Sequence, residues 1–500
     1  MYDSKLSCLE QASVADGLHC VINAVNAPLW DWLVWILIGV GLFFTVATGC
    51  VQVRLFGRSV KAIWTSRSKN NENQGLSSFQ AFVTGLASRV GTGNIAGVAI
   101  AITAGGPGAV FWMWMTAFIG MSSGFAESVL AQLYKVRDKQ TGKFRGGPAY
   151  YIAHGLNHRG MSILFSVCLI VCCGFAYPSI QANTITQAMQ SALGMAAGQG
   201  GNNSAWETYQ YVTAAGLVIL TAPIIFGGMY RVAKASEIIV PIMAILYLGV
   251  AAFVVLTHLG KVPEVLALIF RDAFTFKAAG GGFLGGIISQ GMLQGIKRGL
   301  YSNEAGQGTM PNAAAAADVK HPVSQGLVQM IGVFVDTMIV CTATAMIILL
   351  SSTPNNPDLS GIQVTQAALE THIGAWAQQF LAVVLFVFAF SSIIGSYAFA
   401  ETNVQYLHAG KKVIIAFRLI TLCFVFWGAV AKVGVVWDLG DLAMGTITLI
   451  NLVAIAAMYK MVKVLLKDYT DKIQQGQAEP EFKLAEHPEL QDKIKSHNVW

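Results

Sequence analysis

Two groups of residues in this chain combine polarity with a place inside an apolar run. Gly91-Thr92-Gly93-Asn94 interrupts a stretch from about Phe79 to Ala104, and Ser391, Ser392 and Ser396 follow the aromatic run Phe386 to Phe390. In hydrocarbon an unwound backbone leaves amides and carbonyls without partners, so it persists only where it lines a cavity or holds a ligand. A broken helix offers free amides at the start of one half, worth about half a positive charge, and free carbonyls at the end of the other. Anion and cation can then be held side by side, which suits a zwitterion. Its carboxylate would sit on the amides of Thr92 and Gly93, and its ammonium on carbonyls near Arg89 or on a second broken helix. Adjacent hydroxyls at 391 and 392 suit a hard cation such as sodium, completed by backbone carbonyls. The plain alternative is hydroxyls bonded back to their own helix.

The elements that must position these groups follow from composition. With 54% hydrophobic and 12% charged residues and a mean hydropathy of +0.56 over 500 residues, the chain reads as a polytopic membrane protein. Apolar spans fall near 31–51, 77–104, 107–133, 161–190, 208–228, 235–257, 282–302, 323–351, 376–404, 412–431 and 439–465, an expected eleven helices. The first follows Asp3, Glu10, Asp16 and Asp31 and precedes Arg54, Arg58, Lys61, Arg67 and Lys69, so it reads as an anchor rather than a cleaved signal. The N-terminus is expected outside and the C-terminus inside, with Lys135, Arg137, Arg145, Lys297, Arg298, Lys320, Lys411 and Lys412 in inner loops. The net charge of +6 then faces anionic lipid, and no aromatic-interleaved basic patch points to nucleic acid. Cys8 and Cys20 lie in the segment placed outside, where a disulfide is permitted; the other cysteines read as packing residues. All nine histidines lie in loops, tails or span ends, against a histidine metal site or midplane proton relay.

Setting the first helix aside, two halves begin alike. Helix 77–104 has its break, and helix 282–302 carries Gly285, Gly286, Gly291, Gly295 and Gly299. Glycine-interrupted helices in corresponding positions of antiparallel halves point to an inverted-repeat transporter with a midplane site. Gly291, Gly295 and Gly299 also fit plain close packing between helices. Asn183, Gln187 and Gln190 share one face of helix 161–190 and could complete a pocket or bond between helices. Arg89, Glu127, Glu304, Asp336 and Glu401 are intramembrane charges that must face the bundle interior. Glu127 and Asp336 are the candidate partners of Arg89, and Glu304 and Glu401 suit ion-pair or gating roles. Pro263 to Phe276 and Gly361 to Ile373 read as amphipathic arms placed outside.

Gly91-Thr92-Gly93-Asn94-Ile95-Ala96-Gly97-Val98, Gly105-Gly106-Pro107-Gly108-Ala109-Val110-Phe111-Trp112-Met113-Trp114, Arg145-Gly146-Gly147-Pro148-Ala149-Tyr150 and Ser302-Asn303-Glu304-Ala305-Gly306 together resemble the alanine or glycine:cation symporter family. The likeness runs from about residue 31 to 465. It implies the leucine-transporter fold: an all-α membrane protein of five plus five inverted helices, preceded here by one extra. It also implies sodium-driven, sometimes proton-driven, uptake of small neutral amino acids. Carried over, it lines the substrate pocket with Thr92, Gly93, Asn183, Gly291, Ser392 and Ser396. Likeness to the wider fold sets sodium between the carbonyls of Ala87 and Val90 and the hydroxyls of Ser391 and Ser392. Ser396 departs from the tryptophan many members carry, and Gln307-Gly308-Thr309-Met310 departs from the usual Leu-Gly-Ser-Ala. A smaller side chain at 396 would admit serine, asparagine or glutamine.

The expected organisation is an outside segment 1–30, a transporter domain 31–465 with repeats 77–257 and 282–465, and a cytoplasmic tail 466–500. The expected function is symport of alanine or glycine with sodium across a bacterial or archaeal plasma membrane. No organic cofactor is implied, and the unit of function is taken as the monomer. A channel would need a ring of filters, and a membrane-embedded enzyme an activated nucleophile or histidine cluster; neither pattern is present.

Overall fold

The computed structural model describes residues 14–66, 76–138, 142–195, 203–226, 228–275, 289–351, 353, 359–407, 410–491, 494 and 499–500. Among them eight helices are long and apolar enough to cross a membrane, or up to ten if each of two bent pairs counts as one span. The first runs Val14–Ala47 with Pro28 inside it, starting well before the apolar stretch itself. Cys20 is disulfide-bonded, and Cys8 lies outside the described residues. Where His19 meets Asp438 lies one face of the bundle, called the first face below; where His321 meets Asp468 lies the second.

The first bent pair carries the sequence break. Ser77 caps the Ser78–Arg89 helix: its hydroxyl accepts from the Gln80 amide while the Gln80 side chain accepts from the Ser77 amide, each at 3.1 Å. The chain unwinds at Val90 and Gly91, continues as a π-helical turn Gly93–Gly97, and resumes as Val98–Gly105, 52° off its first half. The unwinding thus begins one residue before the glycines. Gly106, at φ 82, ends the second half, and a side chain on Gly108 would overlap Ala273. There the Val262–Ala273 helix docks, with Asp272 accepting from the Gly108 amide at 2.8 Å and Trp112 Nε1 donating to the Ala273 carbonyl at 3.1 Å. One expected arm is therefore fastened to the turn after the broken helix. The other, Ile362–Ile373, reaches the π-turn itself, where Thr365 Oγ1 donates to the Ile95 carbonyl at 3.3 Å.

Among the described residues the second interruption lies after Asn303, beyond the glycines at 291, 295 and 299. Gly285 and Gly286 fall outside the described residues, and Gly291, Gly295 and Gly299 are continuous helix within Gln290–Asn303. A Cβ on Gly291 would come within 2.9 Å of the Gly105 carbonyl oxygen, and one on Gly295 within 2.3 Å of the Ala109 carbonyl oxygen. These glycines serve close helix packing. The helix ends at Glu304 (φ 56), Gly306 and Gly308 follow at φ 88 and 82, and a short helix Met310–Ala315 resumes. The 14-residue half, about 21 Å long, is too short to cross alone. Lys297 and Arg298 consequently sit inside the bundle toward the first face, not in a loop at its opposite end.

Ala377–Tyr406 is a single 30-residue helix packed against the Ser78–Arg89 half. The last apolar helix spans Val433–Ala457 and bends at Met458 into amphipathic Tyr459–Gln474, so the expected span 439–465 divides at residue 458. The tail then lies on the second face, with Phe482, Leu484, Leu490 and Ile494 buried in the main core.

Candidate functional site

At the first break, backbone and side chains converge on a small oxygen cluster. Ser392 Oγ lies 3.0 Å from the Ala87 carbonyl, 3.3 Å from that of Val90 and 3.1 Å from that of its own Phe388; Ser391 Oγ lies 3.4 Å from Ala87 O and 2.8 Å from Phe388 O. The five residues are essentially inaccessible. A hydroxyl carries one proton and cannot serve three carbonyls at once, so lone pairs outnumber donors here. Oxygens about 2.4 Å from a hard cation lie about 3.4 Å from one another, the scale of these separations. The donor set therefore fits an alkali cation, and it contains the helix-bonded hydroxyls of the plain alternative as well.

Beside this cluster the amides at the break have side-chain partners. Gly91 N donates to Asn94 Oδ1 at 2.9 Å and Thr92 N to Gln181 Oε1 at 3.1 Å. Gln181 thus supplies a neutral oxygen to an amide of the break. Tyr301 covers the break: its hydroxyl is 3.3 Å from Thr92 Oγ1 and from Gln181 Nε2, and its ring packs on Tyr177 and Trp437. No side chain fits on Gly91 or Gly93, since a Cβ would lie 2.3 Å from Ser392 Oγ or 2.9 Å from the Tyr301 ring.

Of the residues expected to line a substrate pocket, Thr92, Gly93 and Ser392 are brought together. Asn183 is not: it donates to the carbonyls of Gly428 and Ala431 at 2.8 Å each, while Gln187 donates to its oxygen. The Lys411–Val430 helix ends there with carbonyls that need donors, and Asn183 supplies them. Gly291 lies against Gly105, and Ser396 donates to the Ser392 and Ile393 carbonyls of its own helix at 2.7 and 3.2 Å. Sequence reasoning missed Gln181 and Tyr301. Two residues are about 200° around a helix, so choosing the Asn183 face turned attention from the Gln181 face. Tyr301 offered a better signal, because it directly precedes the Ser302-Asn303-Glu304 motif.

The buried charges organise the two breaks. Arg89 pairs with neither candidate carboxylate; it donates to Gln329 Oε1 at 2.5 Å and lies against Gly332. Asp336, on a π-helical segment Phe334–Cys341, accepts from Asn94 Nδ2 at 2.7 Å, Ser302 Oγ at 2.5 Å and Thr337 Oγ1 at 3.0 Å. Glu127 accepts from the Gly306 and Gly308 amides, each at 3.1 Å, and from Asn451 at 2.7 Å. Glu304 accepts from Thr309 Oγ1 at 2.7 Å and from Ser88 Oγ at 2.9 Å, which ties one break to the other. Glu401 forms an ion pair with Arg418 at 3.0 Å.

The chain as a whole has counterparts among proteins already described. The profile of the sodium:alanine symporter family matches residues 15–484. The chain belongs to that family. It is 44% identical to the probable sodium/glutamine symporter GlnT of Bacillus subtilis, over 96% of this chain and 95% of that one. It is 35% identical to the sodium/alanine symporter AgcS of Methanococcus maripaludis, over 87% and 93%. The crystal structure of MhsT in complex with L-phenylalanine, a leucine-transporter fold, superposes with a TM-score of 0.53 at 12% identity, covering 79% of this chain and 98% of that one. Members of the sodium:alanine symporter family are transporters rather than enzymes, and this one is a multi-pass protein of the plasma membrane.

Proposed function

We propose that the protein imports small neutral amino acids together with sodium by alternating access about its two broken helices. The observation that carries this reading is the oxygen cluster of Ala87, Val90, Ser391 and Ser392 directly beside amides whose partner is a neutral side chain. Sodium enters the cluster, the Ser392 hydroxyl turns its lone pairs inward, and the substrate carboxylate takes the amides of Thr92 and Gly93 in place of Gln181. Tyr301 closes over it. Eleven spans, one extra helix followed by two repeats of five, first face outside, complete the proposal; basic loops at the second face support that orientation, since Lys135, Arg137, Arg145, Lys320 and Lys411 lie there. One cation crossing 100 mV inward supplies about 2.3 kcal/mol, roughly fortyfold accumulation before its concentration gradient is added.

A second reading widens the substrate range to serine, asparagine or glutamine. It is favoured by the compact Ser396, held against its own helix, and by identity to a relative named for glutamine. Reconstituted protein given an inward sodium gradient and labelled alanine or glutamine tests both. Uptake should saturate and collapse with the gradient, and competition by all twenty amino acids ranks the substrates. Uptake indifferent to sodium and to protons would defeat symport; competition by alanine and glycine alone would defeat the wider pocket.

A further inference from the structure

Two histidines far apart in the chain meet toward the first face, away from the site described above. His258 directly follows the Gly228–Thr257 helix, and His372 lies in the last turn of the Ile362–Ile373 arm. Their ring centres are 4.8 Å apart and the ring planes 71° from parallel. Both are half-buried, so ions in solution reach them. A histidine at a span end is by itself a poor metal ligand. The fold supplies the second one by laying the arm against the helix end.

Each ring has one nitrogen committed to backbone. His258 Nδ1 lies 3.0 Å from the Val254 carbonyl oxygen, and His372 Nε2 lies 3.0 Å from that of Ile347 in the Thr342–Leu349 helix. A carbonyl oxygen only accepts, so both of these nitrogens carry the proton. An ordinary imidazole is neutral above about pH 6.5, and its other nitrogen is then a bare lone pair. Here those nitrogens are His258 Nε2 and His372 Nδ1, and neither has a partner among the described residues. One N–H held by a backbone carbonyl and one nitrogen left free is the outer-shell pattern of metal-ligating histidine. Spacing agrees. Metal–nitrogen bonds of about 2.0 to 2.1 Å set two imidazole centres about 4.5 to 5.2 Å apart for angles of about 90 to 110° at the metal. The observed 4.8 Å falls within that range. The other metal-capable group among the described residues, Asp468, Glu486 and His487, lies on the second face, where the Lys472 ammonium already pairs with both carboxylates.

We propose that His258 Nε2 and His372 Nδ1 ligate one divalent cation of the zinc, nickel or copper(II) class, the metals that imidazole suits, and that the bound ion clasps the arm to the end of the Gly228–Thr257 helix. Water completes its coordination. The arm also bonds the π-turn of the first broken helix through Thr365, so the clasp holds a segment that touches the break. Metal binding is measured without transport, so failure of the symport reading leaves the test below intact.

Zinc titration calorimetry on the full-length protein, in chelator-free detergent and without an added histidine tag, tests it. The unaltered protein should bind a zinc ion that His258→Ala and His372→Ala each weaken by at least about tenfold, the loss usual even for outer-shell partners. His487→Ala, on the second face, should leave that binding unchanged. Zinc should also slow amide hydrogen exchange across residues 362–373 in the unaltered protein and in neither first-face variant. Copper(II) in place of zinc needs no variant: its electron paramagnetic resonance should show coupling to the nitrogens of two imidazoles. Absence of zinc binding by the unaltered protein, or binding untouched by both first-face substitutions, would overturn the proposal and leave ring packing only. Zinc lost with His487→Ala instead would place the ion at the tail and overturn it as well. Exchange in the arm unchanged at saturating zinc would overturn the clasp.

Discussion

The two helix breaks face each other across Ser88 and Glu304, yet they satisfy their backbones in opposite ways. At Val90–Gly91 the partners are neutral side chains, Asn94, Gln181 and Ser392, each held by one or two bonds of 2.9 to 3.3 Å. At Glu304–Thr309 the amides of Gly306 and Gly308 share one buried carboxylate, Glu127, while Asn451 bonds that carboxylate and the Gly306 carbonyl. Charge-assisted bonds are about twice as strong as neutral ones. In the proposed cycle a ligand displaces the first set, whereas the second holds throughout. Open backbone inside a bundle therefore marks a binding site only where its partners are replaceable.

The largest expected effect breaks the rigid side of this comparison. Glu127→Ala orphans the amides of Gly306 and Gly308 at about 1 to 3 kcal/mol each, while Asn451 keeps the Gly306 carbonyl, so a loss of about 2 to 6 kcal/mol is expected. Thermal unfolding in detergent measures it, and a melting curve like that of the parent would refute a structural role for this carboxylate. Next, Gly93→Val drives a branched side chain into the Tyr301 ring and should abolish uptake while the protein still inserts and elutes as a single species. Normal transport by that variant would contradict the proposed carboxylate site.

Smaller effects sharpen the replaceable side. Ser392→Ala removes the hydroxyl nearest both carbonyls and should raise the sodium concentration for half-maximal uptake about tenfold, equivalent to about 1.4 kcal/mol. Ser391→Ala, whose hydroxyl is farther from Ala87, should do less; equal effects would argue against the oxygen cluster. Gln181→Ala should change the substrate KM with little effect on the sodium requirement, which separates the amide side of the break from its carbonyl side.

The smallest effect concerns the tail. His321 Nδ1 accepts from the Val323 amide at 3.1 Å and Nε2 donates to Asp468 at 3.0 Å, an arrangement of the neutral ring. Burial lowers the affinity of His321 for a proton. Burial alone would raise the Asp468 carboxyl, but hydrogen bonds from His321 and Lys472 outweigh it and hold it at about 2. Both groups release protons more readily when the tail is docked, so docking is strongest at neutral pH. It should weaken below about 6.5, as His321 left uncovered by the undocked tail protonates, and further from about 3.9 toward about 2 as Asp468 does. Limited proteolysis across that range checks the sign, and Asp468→Asn should free the tail at neutral pH without altering uptake.

Much of this was legible in the residues. The polar interruption at Gly91-Thr92-Gly93-Asn94, the paired serines and the apolar spans are local patterns, and local patterns survive without tertiary information. Glycine count points to the helix holding Gly291, Gly295 and Gly299, whereas among the described residues the chain unwinds after Asn303, where Gly306 and Gly308 adopt positive φ and Glu127 receives their amides. Gly291 and Gly295 instead buy close approach to Gly105 and Ala109.

By itself the sequence determined that this chain is a membrane protein, that one of its helices is interrupted by polar residues, and which family it resembles, because composition, spacing and motif are properties of neighbours along the chain. Only the tertiary structure decided that Gln181 and Tyr301 meet that break while Asn183 serves another helix end. It likewise gave Arg89 the Gln329 side chain rather than a carboxylate. Partners more than 80 residues apart are chosen by packing, and which buried donor finds which acceptor follows from how the helices are rotated and stacked, not from their spacing in the chain.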